Sequence, residues 1–132
     1  MKSYLLDTHS LLWAIFQPEK LGNQALSILE NPKNTVMVSC ITLWEISLKY
    51  SMGKLQLGCK PDELIKIITE MGFEKINLSL EESALFYQLP KFAHKDPFDR
   101  MLIWQAISND LILISKDSQF GHYYPVGLQV AW

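Results

Sequence analysis

Five carboxylates stand where apolar, strand-like runs of this 132-residue chain give way to helix starts. They are Asp7 in YLLDTHSLL, Glu45 in ITLWEIS, Asp96 and Asp99 in HKDPFDR, and Asp117 in LISKDSQF. Far apart in sequence, acids at such junctions collect at the carboxyl edge of a parallel sheet, where open α/β folds place their ligands. Carboxylates gathered within a few ångströms raise one another's pKa unless a cation neutralises them. An all-oxygen cluster suits Mg²⁺ or Mn²⁺ rather than zinc.

Each acid also has a local structural explanation. Asp7 ends an apolar run just before Thr8, so a turn or capping role satisfied by backbone N–H groups accounts for it. Thr42 and Glu45 have the spacing of a capping box, and Glu45 with Lys49 forms an i, i+4 pair. In HKDPFDR, Asp96 suits the N-cap, Pro97 the first helical position, and Asp99 the third, where its charge favours the helix dipole. Asp117 fits an Asx-turn or cap after the last buried strand. A cap is worth about 1 kcal/mol, but capping does not require that all these acids gather at one sheet edge.

That gathering depends on the elements. Strands are expected at Tyr4 to Leu6, Val36 to Ser39, Lys75 to Leu78, Leu111 to Ser115 and Leu128 to Ala131, with helix-period segments near residues 9–16, 22–30, 42–52, 61–71, 81–89 and 98–109. The alternation predicts an α/β fold: a five-stranded, mainly parallel sheet with helices on both faces. Gln17-Pro18, Asn31-Pro32, Met52-Gly53 and Leu89-Pro90 punctuate the segments. With no Gly/Ser linker and no repeat, residues 1–132 read as one domain, and the helical hairpin around residues 42–72 as a protruding arm. Within it, Trp44, Leu48, Tyr50 and Leu55 give an unusually broad apolar surface that suits a second subunit or a partner protein.

Composition narrows the class of protein. The chain is 48% hydrophobic and 20% charged, which fits a folded domain rather than a disordered tail. Its formal net charge of −2 argues against a protein that coats nucleic acid through a basic excess, so contact with such a partner would depend on a few local cations. The first apolar run is broken by Asp7, Thr8, His9 and Ser10 with no small-residue cleavage site, unlike a secretory signal. No stretch reaches the roughly 20 apolar residues of a membrane span. Cys40 and Cys59 form no metal spacing with the histidines and read as small buried residues in a reducing, cytoplasmic setting.

DTH after the first strand, TLWEISLKYSMGKL, HKDPFDR before a long apolar helix, and SKDSQF after the next strand occur in an order that resembles the PIN-domain ribonucleases. Among these, the VapC-like toxins of bacterial type II toxin–antitoxin pairs are most similar, over about residues 3 to 131. The resemblance implies a Rossmann-like, three-layer sheet and an acidic pocket for Mg²⁺ or Mn²⁺. Asp7, Glu45 and Asp99 match the family's core acids and Asp117 its more variable fourth. Asp96 matches a position not counted as a ligand and is kept as a helix cap influencing Asp99. Ser115 stands where the family often has Thr and keeps the hydroxyl. Thr8 and His9 fall at the pocket wall as packing or hydrogen-bonding groups.

The expected chemistry is hydrolysis of an RNA phosphodiester, with Asp7, Glu45, Asp99 and Asp117 holding one or two metal ions. Arg100, Lys116, Lys95 and Lys49 lie near these acids in sequence and are candidates for phosphate contact, Arg100 first because it adjoins Asp99. The resemblance also implies a small antitoxin docked over the apolar surface, and a homodimer. Two other classes compete. A phosphoryl-accepting receiver needs an acidic pair after its first strand, and Asp7 has no acidic neighbour. A catalytically silent protein- or RNA-binding module of the same fold would not need all four acids. No residue identifies a reader of the ribose 2′-hydroxyl.

Overall fold

The computed structural model describes residues 2–92 and 94–132. Five strands form one sheet: β1 (Ser3–Leu6), β2 (Thr35–Ser39), β3 (Glu74–Ile76), β4 (Ile112–Ile114) and β5 (Gln129–Ala131). Their order is β3-β2-β1-β4-β5 and every pairing is parallel, so the expected mainly parallel sheet is wholly so. Six α-helices connect them: α1 (Thr8–Phe16), α2 (Asn23–Glu30), α3 (Cys40–Ser51), α4 (Leu64–Glu70), α5 (Leu80–Leu85) and α6 (Pro97–Ser108). The expected elements are all present, shifted at their ends by a few residues. Ser118–Val126, which carried no helical periodicity, forms 3-10 turns.

The period-2 alternation of the strands sorts the core into two layers. Tyr4, Leu6, Val36 and Val38 face one cluster, closed by Leu11 and Ala14 of α1, Ala25 and Ile28 of α2, Ile46 of α3, and Leu64 and Ile68 of α4. Leu5 and Leu113 face the other, closed by Leu102, Ile103 and Ala106 of α6 with Phe120 and Tyr123. Each fully buried Leu or Ile contributes about 1.5–3 kcal/mol of transfer free energy. The hairpin of α3 and α4 is therefore seated on the core through Leu57, Leu64 and Ile68, while residues 51–54 at its turn are exposed.

Helix α3 corrects one local expectation. Its cap is Ser39, whose Oγ accepts from Ile41 N at 3.1 Å, so the helix begins two residues before Thr42 and no Thr42–Glu45 capping box forms. Thr42 is buried inside the helix, and its hydroxyl has no hydrogen-bond partner among the described residues. The reason is tertiary: β2 ends at the sheet edge with Ser39 fully buried, and the chain turns into helix there.

A close approach fixes the entry to α2. A Cβ on Gly22 would stand 2.5 Å from the Trp132 carbonyl oxygen and 2.6 Å from the indole Cδ1. That carbonyl accepts from Ala25 N at 3.1 Å, tying the residue after β5 to the first turn of α2. Gly22→Ala is therefore expected to destabilise the protein by about 1–3 kcal/mol through overpacking, read as a lower urea midpoint. An unchanged midpoint would mean that Trp132 moves aside at no cost.

Candidate active site

In the strand order, β1 leads outward to β2 and β3 on one side, and the chain then returns to place β4 and β5 on the other. The switch point lies between β1 and β4, and a crevice opens beyond their carboxyl ends. Asp7 follows β1 and Asp117 lies just past β4, so the topology brings residues near opposite ends of the chain to one place. Asp99, in the first turn of α6, completes the wall. A cavity of about 300 Å³ is lined by Asp7, Asp99 and Asp117 together with His9, Trp13, Lys116 and Phe120.

Each acid is held by its own element. Asp7 is itself the N-cap of α1: its Oδ1 accepts from Ser10 N at 2.9 Å, and its own N–H donates to the Ile114 carbonyl at 3.2 Å. It is 6% exposed, and burial raises its pKa despite hydrogen bonds from Ser10 and Ser115. Ser115 also accepts the Asp117 N–H at 3.1 Å, so one buried hydroxyl braces both acids. Asp117 in turn accepts from Gln119 N at 2.9 Å. Asp96 caps α6 through the N–H groups of Phe98 (2.9 Å) and Asp99 (3.1 Å), as its DPFD context predicts.

Glu45 stands apart from the other three. It does not line the cavity: Thr8 Oγ1 donates to its Oε1 at 2.6 Å, and Lys49 pairs with its Oε2. It is 3% exposed, and its charge still reaches Asp99. Lys49 is thereby assigned to Glu45, with its ammonium pKa raised by that hydrogen bond and by the charges of Glu45, Asp96 and Asp99. Arg100 also departs from expectation. Its guanidinium donates to the Leu89 and Pro90 carbonyls at 3.1 and 3.2 Å and lies over the Phe86 ring, so it braces that turn and does not line the cavity. Lys116 does line it, and Lys95 is exposed.

The residue that sequence reasoning missed is His94. Its Nε2 lies 3.0 Å from Asp99 Oδ2, its Nδ1 lies 3.1 Å from Gln119 Oε1, and its ring meets Phe120 edge-on at 5.3 Å. The ring is thus held at both nitrogens by side chains of two different elements. Burial alone would lower the imidazole pKa, but the hydrogen bonds to Gln119 and Asp99 and the charges of Asp99 and Asp117 outweigh it and raise the pKa. His94, Asp99 and Asp117 each bring a ligand-capable atom within 4.8 Å of the others. The HKDPFDR motif holds both His94 and Asp99, which is the signal that could have found it, but Gln119 and Asp117 come from the turn after β4 and only the fold brings them to the ring.

Charge decides what this arrangement can hold. Asp99 is pushed up to about 6, first by burial and then by Asp96, with Glu45 adding to the effect and His94 opposing it. Lys49, drawn to Glu45, leaves the acids of the cavity short of positive charge. A divalent cation fits that deficit, and the carboxylates of Asp7, Asp99 and Asp117 form a hard oxygen donor set. Neutral His94 would add a nitrogen that Mn²⁺ accepts more readily than Mg²⁺.

A family model for the PIN domain matches residues 4–124. The chain belongs to the PIN-domain family. Ribonuclease VapC22 of Mycobacterium tuberculosis is 24% identical to this PIN domain over 126 residues, which is 95% of each chain. Among solved structures, VapBC2 from Rickettsia felis bound to a DNA fragment from its promoter matches with a TM-score of 0.72 and 20% identity, over 98% of this chain and 97% of that one. DNA-bound VapBC from Salmonella typhimurium matches with a TM-score of 0.68 and 19% identity, over 99% and 98%. These structural likenesses establish the fold.

Proposed function

We propose that this PIN domain is a metal-dependent endoribonuclease and the toxin of a type II toxin–antitoxin pair. The observation that carries the reading is the meeting of Asp7, Asp99 and Asp117 in one cavity at the switch point of the sheet. Support comes from the family, from a relative named as a ribonuclease, and from neighbours solved as toxin–antitoxin complexes. Asp7, Asp99 and Asp117 would hold Mg²⁺ or Mn²⁺, with Glu45 contributing its charge from behind Thr8 and Lys49. When bound, such a cation makes hydroxide available from water near neutral pH and offsets the charge that develops on the phosphate.

The chain's own residues prepare the site. Ser115 and the α1 amide of Ser10 orient Asp7 before substrate arrives. The cap made by Asp96 aims Asp99 from the first turn of α6, and Lys116 offers a cation to the phosphate backbone. Opposite charge near the acids keeps RNA from being repelled outright.

Trp44 (62% exposed), Leu48, Tyr50 and Met52 leave a broad apolar face on α3 and its turn, with Trp44 set edge-on to Phe98 at 5.3 Å. That face is the docking region we assign to a small antitoxin, or to a second copy in a homodimer. None of the described helices is long and apolar enough to cross a membrane, and the reading places the protein in the cytoplasm. The test is incubation of the purified, antitoxin-free protein with total cellular RNA, with Mg²⁺, Mn²⁺ or chelator, and sequencing of new ends. Discrete metal-dependent ends support the reading. Intact RNA under all three conditions, from a protein that binds Mn²⁺ in calorimetry, would leave a binding module in its place.

A further inference from the structure

Asp99 and Asp117 reach the acidic cavity from different elements, the first turn of α6 and the turn after β4, yet each brings a ligand-capable atom within 4.8 Å of the other and of His94. A cation needs such carboxylates held to within about 0.5 Å of their working positions. A carboxylate turns about its side-chain bonds unless a partner holds one oxygen. Two side chains that the proposed chemistry does not use supply that hold. His94 Nε2 lies 3.0 Å from Asp99 Oδ2, and its Nδ1 lies 3.1 Å from the side-chain amide of Gln119. The backbone N–H of the same Gln119 donates to Asp117 Oδ1 at 2.9 Å. One continuous path thus runs from Asp99 through His94 and Gln119 to Asp117. The imidazole within it has little room to swing: its side chain is 9% exposed, and it meets the buried Phe120 ring edge-on at 5.3 Å. Asp99, Asp117 and Phe120 line the cavity and His94 does not, so the ring stands behind Asp99 with both nitrogens engaged. A side-chain amide can donate or accept, so a ring that donates Nε2–H to Asp99 keeps its Nδ1 contact in either protonation state.

We propose that His94 and Gln119 form a positioning bridge that sets the spacing of the Asp99 and Asp117 carboxylates for a divalent cation, with His94 acting through Asp99 and not as a ligand. His94 takes only one oxygen of Asp99, so the carboxylate keeps donor capacity while losing its freedom to rotate. Gln119, exposed and two residues from Asp117, is the joint: its backbone orients one acid and its side chain reaches the other through the ring. The inference rests on the reading of the cavity as a metal site, and its test tells the failure of one from the failure of the other.

Mn²⁺ binding is measured by calorimetry and by pulsed electron paramagnetic resonance on the parent and on Gln119→Ala, His94→Ala, His94→Gln and Asp99→Asn. Because Gln119 is exposed, Gln119→Ala is expected to keep the parental urea midpoint in chelator while weakening Mn²⁺ binding severalfold. His94→Ala is expected to weaken it about tenfold or more, and His94→Gln, whose amide N–H stands in for Nε2–H, to recover part of the loss. The nitrogen couplings of bound Mn²⁺ are expected to be the same in the parent and in His94→Ala. Raising Mn²⁺ should restore RNA cleavage by Gln119→Ala and not by Asp99→Asn, which a purely structural role for Gln119 would not produce. A directly bound nitrogen that vanishes in His94→Ala makes His94 a ligand and overturns the bridge. So does a Mn²⁺ affinity that Gln119→Ala and folded His94→Ala leave unchanged; if Asp99→Asn alone loses Mn²⁺ in that case, the metal-site reading survives. Absence of Mn²⁺ binding by the parent removes the two together.

Discussion

Asp99→Asn is expected to reduce metal-dependent RNA cleavage by on the order of 100-fold or more while making the metal-free protein more stable. The loss follows from removing a carboxylate at the centre of the site, where even groups that only orient a ligand are worth about 10–100-fold. The gain follows from the charge deficit. Asp99 has its pKa raised from 3.8 to about 6, so the folded protein holds its proton more tightly than the unfolded chain does. The sign is fixed: no penalty operates below about pH 4, it grows as pH rises through 6, and it is complete above that. With the side chain 24% exposed, about 1–3 kcal/mol is at stake at neutral pH.

His94 works in the same direction. Its raised pKa contributes stability that is present below 6.5 and lost as pH rises through the folded value. The metal-free parent should therefore lose stability from this site as pH rises from about 4 through 6 and on past 6.5, and the Asp99→Asn substitution should flatten the slope. Thermal denaturation in chelator across that range measures it. Adding Mn²⁺ should stabilise the parent by about 2.7 kcal/mol at 100 times its dissociation constant and the variant much less. A variant that cleaves RNA at the parental rate, or an identical pH slope in both proteins, would remove Asp99 from the site.

The second large effect separates the two duties of Asp7. Asp7→Asn keeps an N-cap that accepts from Ser10 N, and it removes a buried charge whose pKa is already raised. Activity is expected to fall by on the order of 100-fold or more with stability unchanged or higher. Asp7→Ala loses the cap as well, and should be about 1 kcal/mol less stable than Asp7→Asn. Urea denaturation of both variants, alongside their cleavage rates, is the measurement. Equal stability of the two variants would mean that the cap contributes nothing.

Much of this was legible in the chain because the signals are local and periodic. Continuous apolar runs such as Tyr4 to Leu6 declare a sheet covered on both faces, and strand-helix alternation makes it parallel. Asp96-Pro97 announces the start of α6, and its capping bonds are the ones that order implies. Other features were misread where burial overrode propensity. Thr42 looked like a cap, but the buried end of β2 hands that role to Ser39. Arg100 adjoins Asp99 in sequence, yet a helix turns neighbours about 100° apart, and its side chain goes to the Leu89–Pro90 turn.

The sequence by itself determined which acids follow apolar runs and that parallel strands would bring them together, because apolar runs and period-3.6 segments are written residue by residue. Tertiary structure decided how they divide. Asp7, Asp99 and Asp117 face one cavity, while Glu45 is drawn back by Thr8 and Lys49. It also placed His94 between Asp99 and Gln119 and set Trp13 across two cavities. The bonds from Thr8 to Glu45 and between Gln119 and His94, and the place of Trp13, join segments remote in the chain and are set by the packing of helices on the sheet, whereas the Glu45–Lys49 and His94–Asp99 contacts are local.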